Sequence, residues 1–243
     1  MLKSKREFGE GPIFTITSYI YWLFMGNFYF VLLNIPLVLI LISILSNGTN
    51  PLPKGFSVII FLSCIPIGPA ATALFSVMGK LIREKDINIT NDFFKAYKVN
   101  FSESLFLWTF EMVLIAILFI YTRLFIAQNY PPILTIFMYI AIVFIFMMGL
   151  YVFPILSRFY LGPKELVKLS AYNVVANFHI TILNIVSFAI VGFIFIKIST
   201  FVLVFSSSII CFLIMFYEQK ILTQIEQKFN STSSESCNQS ANL

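Results

Sequence analysis

Charge is what this sequence lacks. Asp, Glu, Lys and Arg make up 11% of its 243 residues, whereas a soluble domain carries about 25%. A water-facing surface for a chain of this length cannot be assembled from so few charges. Histidine occurs once, as His179, and cysteine three times, as Cys64, Cys211 and Cys237. None of these is spaced as a metal ligand, and three separated thiols make no disulfide framework. Nucleophile elbows, phosphate-binding loops and paired carboxylates are missing too. We therefore expect no catalytic residues, no metal and no cofactor.

What the chain does have is apolar length. Its composition is 59% hydrophobic, with 29 Phe and 11 Tyr, and several runs exceed the ~20 residues that cross a hydrocarbon core. The expected fold is all-α: a polytopic membrane protein with a single membrane domain over 1–216. Six transmembrane helices are expected, at about 18–45, 56–79, 104–126, 133–157, 178–196 and 199–216. The first run is far longer than a signal h-region and no small-x-small site follows it, so it is read as an uncleaved helix kinked at Pro36. The nearly uncharged stretch 178–216 would reach about 58 Å as one helix at 1.5 Å per residue. That is twice the core thickness, so it folds back, with Lys197 marking the turn. The tail, 217–243, holds too little apolar surface to fold alone, and its end is expected to be disordered.

Charge placement supplies the orientation, because Lys and Arg accumulate on cytoplasmic loops. Thirteen fall on one side: Lys3, Lys5, Arg6, Lys80, Arg83, Lys85, Lys95, Lys98, Arg158, Lys164, Lys168, Lys220 and Lys228. Three fall on the other, Lys54, Arg123 and Lys197. Both termini are thus expected in the cytoplasm. The net charge of +5 is this bias and calls for no nucleic acid.

The basic connection at 80–103 is expected to hold a short interfacial helix at 92–101, capped by Thr90 or Asn91. There Phe93, Tyr97 and Phe101 recur at four-residue steps with Phe94 beside them, while Lys95 and Lys98 fall toward the other side. That pattern suits a helix lying among headgroups, and these six residues are candidate contacts to a partner or to lipid. A second connection, 160–177, opens with Gly162-Pro163 and has a weaker apolar pattern. The run Ala96-Tyr97-Lys98-Val99-Asn100 is echoed by Ala171-Tyr172-Asn173-Val174, as a duplicated unit or as chance.

Among single residues Glu111 stands out. It lies about two turns inside the third apolar segment, where a centred carboxylate costs roughly 2.5–3.5 kcal/mol. Such a group faces other helices or a water path, and Arg158 or Lys80 at helix ends could pair with it; otherwise it reaches the interface or holds a proton. Gly68, Pro69, Ala70, Ala71 and Ala73 form a small-residue surface suited to close helix packing. Pro66 and Pro69 are alternatively a helix break at a gate. Asn27, Asn34 and Asn184 are candidates for interhelical hydrogen bonds. His179, without a partner motif, reads as a loop or headgroup contact.

Several of these stretches share a pattern. Gly9-Glu10-Gly11-Pro12, the GPAATALF run at 68–75, DFFKAYK at 92–98 with Asn100-Phe101, and Phe153-Pro154 with Arg158 resemble the YesL-like family of bacterial membrane proteins. The likeness extends to about Arg158. It implies a bacterial plasma-membrane protein with no established biochemical activity, accessory to carbohydrate uptake through the permease subunits of an ABC-type importer. It brings no catalytic or binding residues. Alternatives are a small oligomeric transporter or channel using Glu111, and a membrane sensor coupled to a kinase.

Overall fold

The computed structural model describes residues 12–46, 55–84, 87–197 and 203–241. The Gly9-Glu10-Gly11 start, the loop 47–54, Lys85 and the turn after Lys197 lie outside them. Among the described residues every regular element is an α-helix. In order they are α1 (Pro12–Leu33), α2 (Ile35–Ser46), α3 (Phe56–Ser63), α4 (Ile67–Glu84), α5 (Ile89–Ala127), α6 (Pro132–Leu156), α7 (Pro163–Ala176), α8 (Phe178–Lys197) and α9 (Leu203–Ala241). Five stretches are long and apolar enough to cross a membrane: Thr15–Leu33, Phe56–Glu84, Ile89–Ala127, Pro132–Leu156 and Ser206–Lys228. The bent pair of α7 and α8 makes a sixth if counted as one span. The all-helical, multi-span class expected from composition is the class observed.

Two of the apolar segments break where proline removes a backbone donor. α1 gives way to α2 at Asn34, two residues before Pro36, and the buried Asn34 donates through Nδ2 to the Phe30 carbonyl at 2.8 Å. α3 stops ahead of Pro66. The Cys64 carbonyl in that gap accepts from Ile67 N at 3.2 Å and from Trp108 Nε1 at 2.8 Å. α5 thus satisfies an acceptor that the break in the second segment sets free.

α4 is the innermost helix, with Gly68, Pro69, Ala70, Ala73, Leu74, Val77, Met78 and Leu81 all buried. Small residues let its neighbours approach. A Cβ on Gly68 would overlap the Trp108 side chain, and one on Gly79 would meet the end of Met215 on α9. Gly26 of α1 faces Leu74 and Met78 in the same way. The dense core gathers where the basic residues lie. By contrast, the α5–α6 hairpin between Val113 and Met148 is mostly exposed and buries only Thr122 fully. Side chains such as Ile133 and Phe137 there are about 70% exposed (73% and 68%), as befits a surface facing lipid tails.

The short helix expected at 92–101 is not a separate element. Those residues are the opening turns of α5, which runs unbroken for 39 residues, about 58 Å. The four-residue spacing of the aromatics misleads because each such step rotates about 40° around a helix of 3.6 residues per turn. Phe93 is accordingly fully buried, Tyr97 half-buried and Phe101 exposed. The stripe that faces inward is Ile89, Phe93, Asn100, Ser104 and Leu107. Nor do Thr90 or Asn91 cap the helix: Asn88 does, its side chain accepting from Asn91 N at 3.4 Å. Thr90 is engaged instead by the Tyr29 hydroxyl of α1 at 2.7 Å.

A helix set at a right angle to the one that follows it does occur, in the second connection. α7 meets α8 at 92°, so with α8 crossing the bilayer α7 lies along its surface. It buries Leu166, Ser170, Asn173 and Val174 and leaves Lys164, Glu165 and Lys168 outward. The corner is Asn177, whose N–H still bonds the Asn173 carbonyl at 2.9 Å while its own carbonyl accepts from Ile180 N at 2.9 Å. α9 likewise differs from expectation. It continues past residue 216, the expected end of the sixth span, and its backbone is helical to Ala241.

Candidate functional site

The basic end is built from charged pairs. Lys80 on α4 donates to both oxygens of Asp92 in the first turn of α5, each at 2.9 Å, and lies 3.7 Å from Glu84. Arg158, just past α6, is ion-paired with Glu226 of α9 and lies over the Phe159 ring. Together with Lys95, Asn100, Ser157 and Tyr160, Lys80 and Arg158 line a cleft of about 180 Å³. Phe94, Lys95, Lys98 and Phe101 are exposed on the outer side of α5. Phe93 is not part of that face, since it is buried with its ring 5.5 Å from that of Tyr29.

Glu111 is elsewhere. Neither Lys80 nor Arg158 reaches it, because each already holds a carboxylate at the basic end. Its carboxylate packs against the backbone of Gly149 on α6, filling the place a Cβ would take. No hydrogen bond or ion pair joins it to another described residue. It borders two cavities. The larger, about 230 Å³, is walled by Phe30 of α1, Ala71 and Phe75 of α4, Trp108 of α5, Phe146 and Phe153 of α6, Phe188 of α8 and Ser207 and Cys211 of α9. The smaller, about 110 Å³, lies between α5 and α6 and reaches Phe110 and Met148. Phe110 is exposed on the outside of the bundle. The arrangement is an apolar chamber with one carboxylate, adjoined by a side pocket that faces lipid.

A second intramembrane carboxylate escaped the sequence reading. Glu218 is 1% exposed, and its Oε1 accepts from Asn184 Nδ2 of α8 at 2.8 Å. Glu218 Oε2 and Asn184 Oδ1 find no donor among the described residues. One face of α8 carries further polar contacts, with Thr181 bonded to the Tyr151 hydroxyl of α6 at 2.9 Å. Of the three asparagines expected to bond between helices, Asn184 does so, while Asn34 donates within its own segment. Glu218 lies just past the nearly uncharged stretch 178–216 and so falls in the expected tail, 217–243. The signal that could have found it is the stripe Cys211, Ile214, Met215, Glu218, Ile221, Leu222, whose spacing is helical throughout and whose members are all buried.

Residues 20–121 match the model of a family described as a protein of unknown function, DUF624. The matched stretch takes in α4, Trp108 and Glu111 and leaves out α6 to α9. No curated protein and no solved structure matches the chain.

Proposed function

We propose that this is a non-enzymatic protein of the bacterial plasma membrane that assists a carbohydrate importer by docking to a permease subunit at the cytoplasmic surface. The observation that carries the reading is the exposed face of α5 at the basic end. Residues 89–101 extend about 20 Å ahead of the apolar part of the helix, and Phe94, Lys95, Lys98 and Phe101 stand uncovered on them. Aromatic side chains are enriched at protein contacts, and the lysines beside them complement an acidic partner surface. YesL-like families carry the matched domain, which agrees with the sequence resemblance behind the importer reading. The test is a double charge reversal, Lys95→Glu with Lys98→Glu, on tagged protein drawn from native membranes. Importer permease subunits should be recovered with the unaltered protein and lost with the variant, while insertion and elution in detergent stay the same. Loss of binding to phosphatidylglycerol vesicles with permease recovery intact would reassign the face to lipid.

The Glu111 chamber favours a second reading, a small carrier. That reading requires solute flux in liposomes holding this protein alone, removed by Glu111→Gln. The apolar lining suits a sugar poorly, since sugar hydroxyls need hydrogen-bonding partners that phenyl walls do not offer. For carbohydrate uptake the accessory role is therefore the better fit.

A further inference from the structure

The chamber beside Glu111 has a chemistry that points to its occupant, apart from both docking and transport. Six aromatic side chains, Phe30, Phe75, Trp108, Phe146, Phe153 and Phe188, border it. They come from five helices, so the enclosure is a product of the whole bundle rather than of one apolar stripe. Among its lining residues there is no Lys, Arg or His, and Glu111 has no protein counter-ion among the described residues. A carboxylate in hydrocarbon is costly unless a partner neutralises it. Ring faces attract cations through their quadrupoles, and aromatic walls are a recurrent way of holding ammonium groups. We propose that the chamber binds a small organic ammonium ion, its charged head against Glu111 and its apolar body among the rings.

Size and access fit such a ligand. The volume of about 230 Å³ falls below the ~300–1,000 Å³ of sites for drug-sized molecules, so the ion is small. Glu111 also borders the side pocket between α5 and α6, and Gly149 keeps that seam thin. Glu111 and Gly149 are shared by the linings of both spaces, so the carboxylate stands where the chamber and the lipid-facing pocket adjoin.

Trp108 lines the chamber and supplies the readout. Trp22 is the other tryptophan of the chain, so a Trp22→Phe background makes Trp108 fluorescence specific. In phosphatidylglycerol vesicles, where no ammonium headgroup competes, benzyltrimethylammonium should change that fluorescence saturably, and neopentylbenzene, its uncharged isostere, should bind at least tenfold more weakly. Glu111→Gln should lower affinity for the cation at least tenfold and leave the uncharged compound unaffected. Phe188→Leu, which keeps the wall apolar but removes a ring, should weaken the cation several-fold and serves if the first variant does not fold. Competition by added phosphatidylethanolamine would identify the ammonium source as a lipid headgroup; its absence assigns a free ion. Equal affinity for the charged and uncharged compounds, or no saturation by the cation, overturns the proposal.

Discussion

At the scale of single residues, the informative contrast is between the two buried carboxylates. Glu111 faces a space, and Glu218 faces an amide. For Glu218 the hydrogen-bond inventory is incomplete on both partners, with one acceptor oxygen left over on each. A glutamine at that position can keep the acceptor that Asn184 Nδ2 uses and place donors where Oε2 has none. Glu218→Gln should therefore leave thermal stability in detergent unchanged or raised. Glu218→Ala strands the Asn184 amide in the core and should cost about 1–3 kcal/mol. Unfolding followed by tryptophan fluorescence distinguishes these, and a glutamine variant as unstable as the alanine one would contradict the account. None of this was legible from composition, because Glu218 stands two residues from Lys220 at what resembles the start of a soluble tail. Glu111, flanked on both sides by long apolar runs, was legible. Its solitude was not, since pairing depends on where Lys80 and Arg158 fold, and both are held by acids that sequence separation does not connect to them.

At the scale of helices, two glycines of α4 meet their neighbours in different ways. Gly68 and Gly79 both lie on α4 where another helix comes near, yet they meet different atoms. Gly68 faces the root of a Trp side chain and the Ser104 carbonyl, which cannot yield without moving α5. Gly79 faces the terminal methyl of Met215, which can swing aside. Gly68→Ala is therefore expected to destabilise by about 1–3 kcal/mol, the usual cost of overpacking. Gly79→Ala should be neutral or slightly stabilising, because alanine is favoured over glycine inside a helix by roughly 0.5–1 kcal/mol. Paired melting curves would check this, and equal losses in both would show that helix spacing rather than local clash is limiting. The sequence made the apolar segments and their breaks readable, since length, proline and turn residues act locally. It did not reveal which connection lies flat. Aromatic spacing at 93, 97 and 101 pointed to the first, whereas α5 stays continuous and α7 turns at Asn177. The turn depends on a corner residue that can end one helix and open the next, and spacing does not report that.

At the scale of the whole molecule, Lys80, Lys95 and Arg158, three of the residues that the bias assigns to the cytoplasm, come together around one cleft, where α4 meets α5 and Arg158 meets α9. Single cysteines in a background lacking Cys64, Cys211 and Cys237 test that orientation. Asn129→Cys, in the α5–α6 turn, should react with an impermeant maleimide on intact cells. Lys95→Cys should react after the membrane is opened, and the reverse pattern would invert the topology. The right-angled corner between α7 and α8 has a mechanical consequence for how the bundle sits. A span alone is held at its depth by the match of its apolar length to the hydrocarbon and by the polar residues at its ends. A crosswise strut adds a second hold: pushing it deeper drags Lys164, Glu165 and Lys168 toward hydrocarbon, while the burial of Leu166 and Val174 ties it to the bundle. With α8 upright, α7 acts on the protein's draught as a deck acts on a hull at its waterline, and the Glu111 chamber keeps its depth with it.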